Sequence, residues 1–519
     1  MPDEEKGSLI QSIAFDALPT QDDELDNKDD SKPITSETLR PSAWQDAYDT
    51  IILGIPIFGS MLSWVGMKTT DSALLGHISA QALVASSLSD LFTMCTGVFI
   101  QARVLSILCG NAVGAGNPKL AGIYLQVSLW VLMGVVLLIM LIWQTTAWFW
   151  TLMGTESMAA SMAGYYARVL SLSLPAQLGF SQLSQYFQAQ RIMHPEVNAA
   201  TVAMLLNLIA GLVFVLGVGI PEWEGYGFRA CPWVTTCVVY FQLAFLWIIY
   251  IHKQQLHQPC WGGWKWSEVT STRIRTFLDL YVPAALASAS DFWRVAVIGT
   301  FVAKYLGETA VAVFNTSYRV MWIVLTLISA LSSAAGIQTT IRLGKQDALG
   351  AKQAGEVGIY MSAVILTLLG GFIVGNIRLL GRLFTADEQF LAELDGAKWP
   401  FMTTLVLMNL SIAIERIPYS MGRTREVFWY GFLASWGGQV PGVFFCLKYW
   451  RMDLVGLYTG MTLGYAMLTL LYGYMCFTSD WVHFAQVARH RSEIEDDEVV
   501  QTRNEMTSDD VQLSLLNPE

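Results

Sequence analysis

Apolar runs and short polar stretches alternate along residues 44–477. The apolar windows fall at 47–70, 81–107, 120–143, 160–188, 196–218, 231–251, 276–303, 312–337, 355–377, 400–421, 427–447 and 454–477. Each is near or above the roughly 20 residues needed to cross a bilayer core, so the pattern predicts an all-α integral membrane protein with twelve transmembrane helices. The polar punctuation then repeats about 230 residues later. Gly54-Ile55-Pro56 is answered by Tyr281-Val282-Pro283, Leu75-Gly76-His77 by Leu306-Gly307-Glu308, and Ala121-Gly122 by Ala354-Gly355. Six windows per copy bring both copies into the membrane in the same direction. Two parallel six-helix repeats around a central cavity are the expected architecture.

The polar residues sort to the ends. Residues 1–43 read as a disordered acidic amino-terminal tail, 44–251 as a first lobe of six helices, and 252–275 as a cytoplasmic linker. Residues 276–480 read as a second lobe of six helices and 481–519 as a disordered carboxy-terminal tail. Hydrophobic residues make up 53% and charged residues 14%, too little polar surface for a soluble domain of this length. The net charge of −11 belongs largely to the tails and says little about partners; no nucleic acid is expected. The even connections carry Lys119, Arg191, Lys253, Lys265, Arg273, Arg275, Arg342, Lys345, Lys352, Arg423 and Arg425, more basic residues than the odd ones. That bias predicts both termini in the cytosol. The start, Met1-Pro2-Asp3-Glu4-Glu5, lacks the basic and apolar regions of a cleavable signal peptide. Seven cysteines without a spacing pattern and six scattered histidines predict no disulfide framework and no metal centre. No phosphate-binding loop of the Walker type occurs, so no ATP-driven step and no cofactor is expected.

Several motifs occur in a familiar order. The first window ends Thr70-Asp71-Ser72-Ala73-Leu74-Leu75-Gly76-His77 and the second closes on Leu108-Cys109-Gly110-Asn111-Ala112-Val113-Gly114-Ala115-Gly116. The fourth ends Tyr186-Phe187-Gln188-Ala189-Gln190 before Pro195, and the second copy adds Met421-Gly422-Arg423-Thr424 and Gly437-Gly438-Gln439-Val440-Pro441. This set resembles the multidrug and toxic compound extrusion (MATE) transporters of eukaryotic type over most of 44–477. The resemblance implies a secondary active antiporter that exports organic solutes in exchange for protons or Na⁺ by rocker-switch alternating access. It also links the first-window acid, Asp71, to cation or proton binding. Asp291 resembles the first acid of the eukaryotic EWWxxE pattern, with Ala296 where the second acid would stand. The chain departs again at Gly211, an acid in bacterial members, and at Ser106, an acid in many eukaryotic ones.

An ionisable group at mid-membrane costs at least about 2.5–3.5 kcal/mol, so each needs a reason. Asp71, Arg103, Arg168, Asp291, Arg294, Arg319, Glu415 and Arg416 are the candidates. Ion coupling is expected at Asp291 first, with Asp71 and Glu415. Arg294 lies three residues after Asp291, on the same helix face and within reach of an ion pair. The substrate cavity is expected to draw on Arg294, Phe292, Trp293, Asn315, Gln177 and Gln338. Each residue has a plainer reading: a helix cap for Asp71, a static ion pair for Asp291, snorkelling for Glu415, and interfacial anchoring for the tryptophans. The expected partners are a small organic solute and the lipid bilayer, with the chain a monomer. A lipid-linked flippase of the same superfamily is the alternative, and a membrane-embedded enzyme a more distant one. The address is a plasma membrane or a vacuolar or endosomal membrane, since Glu5-Lys6-Gly7-Ser8-Leu9-Ile10 fits an acidic dileucine signal.

Overall fold

A computed structural model describes residues 42–492 apart from 386. The two acidic tails, 1–41 and 493–519, and with them the Glu5–Ile10 signal, lie outside the described residues. Twelve long helices and no strand occur among the described residues. They are α1 (Ala43–Ile78), α2 (Ala80–Gly114), α3 (Pro118–Gln144), α4 (157–189), α5 (His194–Val215) and α6 (Gly227–Lys253). The second set is α7 (Ser271–Tyr305), α8 (Glu308–Gly344), α9 (Ala348–Gly375), α10 (Lys398–Ser420), α11 (424–450) and α12 (Leu454–Phe477). Each apolar window falls on one of these helices.

Ten of the twelve are long and apolar enough to cross a membrane by length and composition. The other two, α4 and α11, are interrupted. α4 breaks into Ser157–Ser171 and Leu174–Ala189, with Pro175 just inside the second segment. α11 widens into a π-turn at Leu433–Gln439, because Pro441 has no N–H to return to the carbonyl of Gly437. α1 and α7 run past the hydropathy windows because capping extends them into polar sequence. Ser42 accepts from the backbone N–H of Gln45 at 3.3 Å, and Thr270 from that of Arg273 at 3.4 Å.

Side chains pack into two large apolar cores. The first runs from Leu74 to Ala285 and the second from Ile298 to Met475. α7 serves both: Phe277, Tyr281 and Ala285 belong to the first, Ile298 and Val302 to the second. The connection 252–275 is docked along α3. Gln126 donates to Gly263 O at 2.9 Å and accepts from Lys265 N at 3.0 Å. Cys260 is buried there, which pushes its thiol up to about 12.

The two halves meet in an apolar seam. Leu53, Ile57 and Met193 pack against Ala330, Ala334, Ile337 and Ile341. α2 and α8 approach so closely that a Cβ on Gly114 would stand 3.0 Å from the Cα of Gly344. This seam lies at the face that carries both described ends, Ser42 and Ser492.

One expectation needs correction. Residues 481–492, assigned from their polarity to the disordered carboxy-terminal tail, are helical. Ala485 and Ala488 share one face and pack with Leu343, Ala348, Ala351, Ile417 and Met421. A stripe that short falls below any membrane-length window, and its other face is polar.

Candidate functional site

The first half encloses a polar cavity of about 330 Å³ between α1, α2, α4, α5 and α6. Trp64, Asp71, Gln101, Arg103, Gln177 and Thr235 are among its lining residues. Asp71 is 4% exposed and accepts hydrogen bonds from Asn207 at 2.9 Å and from Thr235 at 2.8 Å. It is therefore wedged between α1, α5 and α6, and the reading as an interfacial helix cap does not survive. One turn earlier Lys68 pairs with Asp90 of α2 at 2.9 Å. Asp90 is thus a second acid within electrostatic reach of Asp71, contributed by α2. Gly211 packs against the tip of Leu74, which a side chain at this position would have to displace.

The wall of this cavity includes a break in α2. The helix tightens into a 3₁₀ turn at Val98–Ile100, and residues 101–104 are non-helical before Leu105–Gly114 resumes. Unpaired backbone at membrane depth is tolerated where it lines a cavity, and Gln101 and Arg103 do so here. Arg103 donates to Gln188 at 3.2 Å and lies 3.7 Å from Glu196, which also accepts from Ser60 at 3.0 Å and from Gln188. Glu196 is 8% exposed.

The second half holds its acid differently. Asp291 Oδ1 lies 3.2 Å from Arg294, and the Asp291 side chain is 49% accessible while that of Arg294 is 7%. Arg294 is held from the other side: it donates to Gln439 in the π-turn of α11 and lies over the Tyr465 ring at 5.1 Å. Trp436, in the same π-turn, donates to Ser290 at 2.8 Å. Arg294 Nε and Gln439 Nε2 are buried with no hydrogen-bond partner among the described residues. Glu415 of α10 lies within electrostatic reach of Asp291, Arg294 and Arg416.

The expected cavity residues are only partly brought together. Gln177 lines the first-half cavity, and Phe292, Trp293 and Arg294 flank Asp291. Phe292 sits 6.4 Å from the Trp322 ring, and Trp293 donates across the halves to Cys95 O at 3.2 Å. Asn315 is exposed on α8, one turn from the exposed Arg319. Gln338 is fully buried and lies outside the cavity; it donates to Thr50 of α1 at 3.1 Å.

Gln338 belongs instead to a polar lock in the seam. Asp46 of α1, 0% exposed, pairs with Arg342 of α8 and accepts from Gln353 of α9 at 2.7 Å. Arg342 also donates to Gly350 O at 2.7 Å. Between α8 and α9, burial and the neighbouring Arg191 and Arg342 hold the Lys345 ammonium below the usual lysine range. Sequence reading passed over Asp46 because it stands at the edge of the first window. An acid in a first helical turn is ordinary, and nothing local marks its partner.

A larger groove of about 550 Å³ opens on the outer surface of α5 and α6. Its walls are Leu206, Phe214, Trp233, Phe241 and similar side chains, and no acid lines it.

The MatE family profile matches residues 56–213 and 283–442, one stretch in each half. The chain is 25% identical over 483 residues to an uncharacterized transporter of Schizosaccharomyces pombe, covering 90% of this chain and 87% of that one. It is 26% identical over 369 residues to multidrug and toxin extrusion protein 1 of Xenopus tropicalis, covering 68% of this chain and 60% of that protein. The fold matches the crystal structure of the eukaryotic MATE transporter AtDTX14 with a TM-score of 0.78 at 18% identity, over 87% of this chain and 99% of that one.

Proposed function

The chain belongs to the MATE family of membrane transporters, and from that premise we propose that it exports organic solutes in exchange for protons or Na⁺ by alternating access. The division into lobes at 44–251 and 276–480 is part of this proposal, with the seam as the closed gate and both termini cytosolic. The chain works as a monomer in a plasma, vacuolar or endosomal membrane, with no cofactor beyond the coupling ion.

Asp291 carries the reading. A carboxylate that couples must be reachable from the cavity and must change partners during the cycle. Asp291 is half accessible, and its counter-ion has alternatives in Gln439 and Tyr465. Arg294 can therefore stay anchored by Gln439 and Tyr465 while Asp291 exchanges its charge partner. Asp71, with its two donors, and Glu415 are secondary ion sites in this proposal. Gln177, Phe292, Trp293, Arg294 and Asn315 contact solute, and Gln338 is reassigned to the gate.

Energetics bound what such exchange achieves. A membrane potential of about 100 mV supplies about 2.3 kcal/mol per charge, and one pH unit about 1.4 kcal/mol. Exchange of one proton for a neutral solute uses both terms and sustains a gradient of roughly 500-fold. Exchange for a monovalent cation moves no net charge and sustains about tenfold. The test is uptake by the full chain in liposomes, using cationic, anionic and neutral solutes under imposed pH and Na⁺ gradients without ATP. Accumulation driven by either gradient is expected. Full transport with both gradients collapsed and ATP present would end the antiporter reading.

A further inference from the structure

A small chamber of about 40 Å³ lies where the two halves meet, beneath the first-half cavity. Arg103 of α2 and Arg416 of α10 both line it, one guanidinium from each half. Ser106, Gln188, Ser333 and Tyr419 supply polar groups around them, and none of the lining side chains is a carboxylate. Glu196 reaches Arg103 at 3.7 Å from outside the chamber. Arg416 makes no carboxylate contact within ion-pair distance among the described residues; its guanidinium lies 5.9 Å from the Tyr419 ring centre.

Glu196 and Glu415 offset the two guanidinium charges from outside the chamber, and an anion inside it would offset both at once. Three further observations point the same way. The segment Leu105–Gly114 begins at this chamber after the break in α2, so the positive end of its dipole is directed there. The Ser333 hydroxyl is buried without a hydrogen-bond partner among the described residues. The chamber holds about two or three waters' worth of space, the size of a halide or a carboxylate group and too small for an organic solute. Arg103 also lines the first-half cavity, so the two spaces share a wall.

We propose that this chamber binds a monovalent anion between Arg103 and Arg416. The anion is a small inorganic ion or the carboxylate head of an organic acid whose body occupies the first-half cavity. Because each half contributes one arginine, the anion bridges the halves and stabilises the closed seam. The inference rests on the transporter reading only for that consequence, since binding is measurable without transport.

The test uses the full purified chain in detergent, in a buffer whose only anion is a bulky sulfonate. Chloride or benzoate is added at constant ionic strength, and thermal stability and radiolabelled benzoate binding are read. The wild-type protein is expected to gain thermal stability with anion. Arg416→Gln is expected to weaken the apparent affinity by about tenfold or more, the loss of one charge-assisted contact. Arg416→Lys keeps the charge and retains part of the response, which separates lost binding from lost folding. Benzoate binding displaced by chloride supports the organic-acid source, and a response to chloride alone supports the inorganic one. No response to either anion in folded wild-type protein, or an equal response in Arg416→Gln, overturns the proposal. A protein that binds anion but accumulates no solute under any gradient keeps this inference and sinks the antiporter reading.

Discussion

Asp71 in the first half and Asp291 in the second are not repeats of one another. Counting from the paired prolines Pro56 and Pro283, Trp64 stands where Asp291 does. Counting back from Gly76 and Gly307, Val302 stands where Asp71 does. Trp64 lines the first-half cavity, and Val302 is packed in the second core. Asp71 stands at the wall of the first-half cavity, tightly held, with a donor from each of two neighbouring helices. Asp291 is half accessible, on an arginine with other partners. The duplication thus preserved helix punctuation and close-packing positions, while the charges were placed in each half separately. A tightly bonded acid and a separable acid are suited to different work, and four experiments bear on that contrast.

The largest effect is expected at Asp291. Asp291→Asn should abolish ion-driven accumulation, losing about tenfold in gradient for each pH unit imposed. Arg294 keeps Gln439 and Tyr465, so the single variant should still fold. The double variant Asp291→Asn with Arg294→Gln removes both charges. If it regains wild-type proton-driven uptake in liposomes, Asp291 is only half of a static pair and the contrast between the halves collapses.

Next comes the seam, which ties the halves whatever each one does. Asp46→Asn or Arg342→Gln leaves a buried partner uncompensated, a loss of about 3–5 kcal/mol. A marked drop in the melting temperature of the purified protein is expected, larger than for any single change at Asp71. An unchanged melting temperature would show that the small-residue packing around Gly114 and Gly344 holds the seam alone.

Asp71 should give a smaller, graded effect. Asp71→Asn is expected to weaken coupling in part, by less than the tenfold per pH unit lost at Asp291. Thr235→Val removes one of the two bonds to the carboxylate, worth about 1.5–3 kcal/mol for a charged acceptor. Thermal unfolding of Thr235→Val reads that loss directly. Complete and selective loss of coupling in Asp71→Asn, with solute binding intact, would reverse the ranking of the two halves.

The smallest effect lies in the connection between α9 and α10. Hydrogen bonds and charge from Lys398 and Arg378 hold the Asp395 carboxyl below the usual carboxylate range. A carboxylate with a depressed pKa stabilises the fold above its unfolded pKa, and that contribution is lost as pH falls through the folded value. Lys398→Gln should therefore flatten the acid limb of the stability profile slightly, by no more than about 1 kcal/mol for an exposed pair. A pH titration of the melting temperature, wild type against variant, checks this.

Much of the fold was legible because length and hydropathy dictate it. Every window corresponds to a helix, since a bilayer core leaves a backbone little choice. What remained hidden depended on contacts remote in sequence. The break at 101–104 reads as ordinary apolar sequence, and only the cavity beside it explains why it is not helical. The docked helix at 481–492 is too short and too polar on one face to show. The ion pair between Asp291 and Arg294 was legible from their spacing on one helix. Gln338 was misjudged because its partner Thr50 lies on a helix of the other half. The helices that surround Asp71 were equally invisible, because Asn207 and Thr235 carry no local signal.

The pair Asp46–Arg342 also has a consequence for how the protein is made. Its members are 296 residues apart in the chain. At about 5–20 residues per second, α1 emerges from the ribosome roughly 15 to 60 s before α8 does. Throughout that interval Asp46 lacks the Arg342 that pairs with it in the finished protein, so the first six helices must settle in the bilayer with this face incomplete. The seam can therefore only be a late step of biogenesis, completed after the second copy has been threaded. A lesion at Arg342 would accordingly leave the early helices correctly inserted and surface as a failure of the finished chain to close.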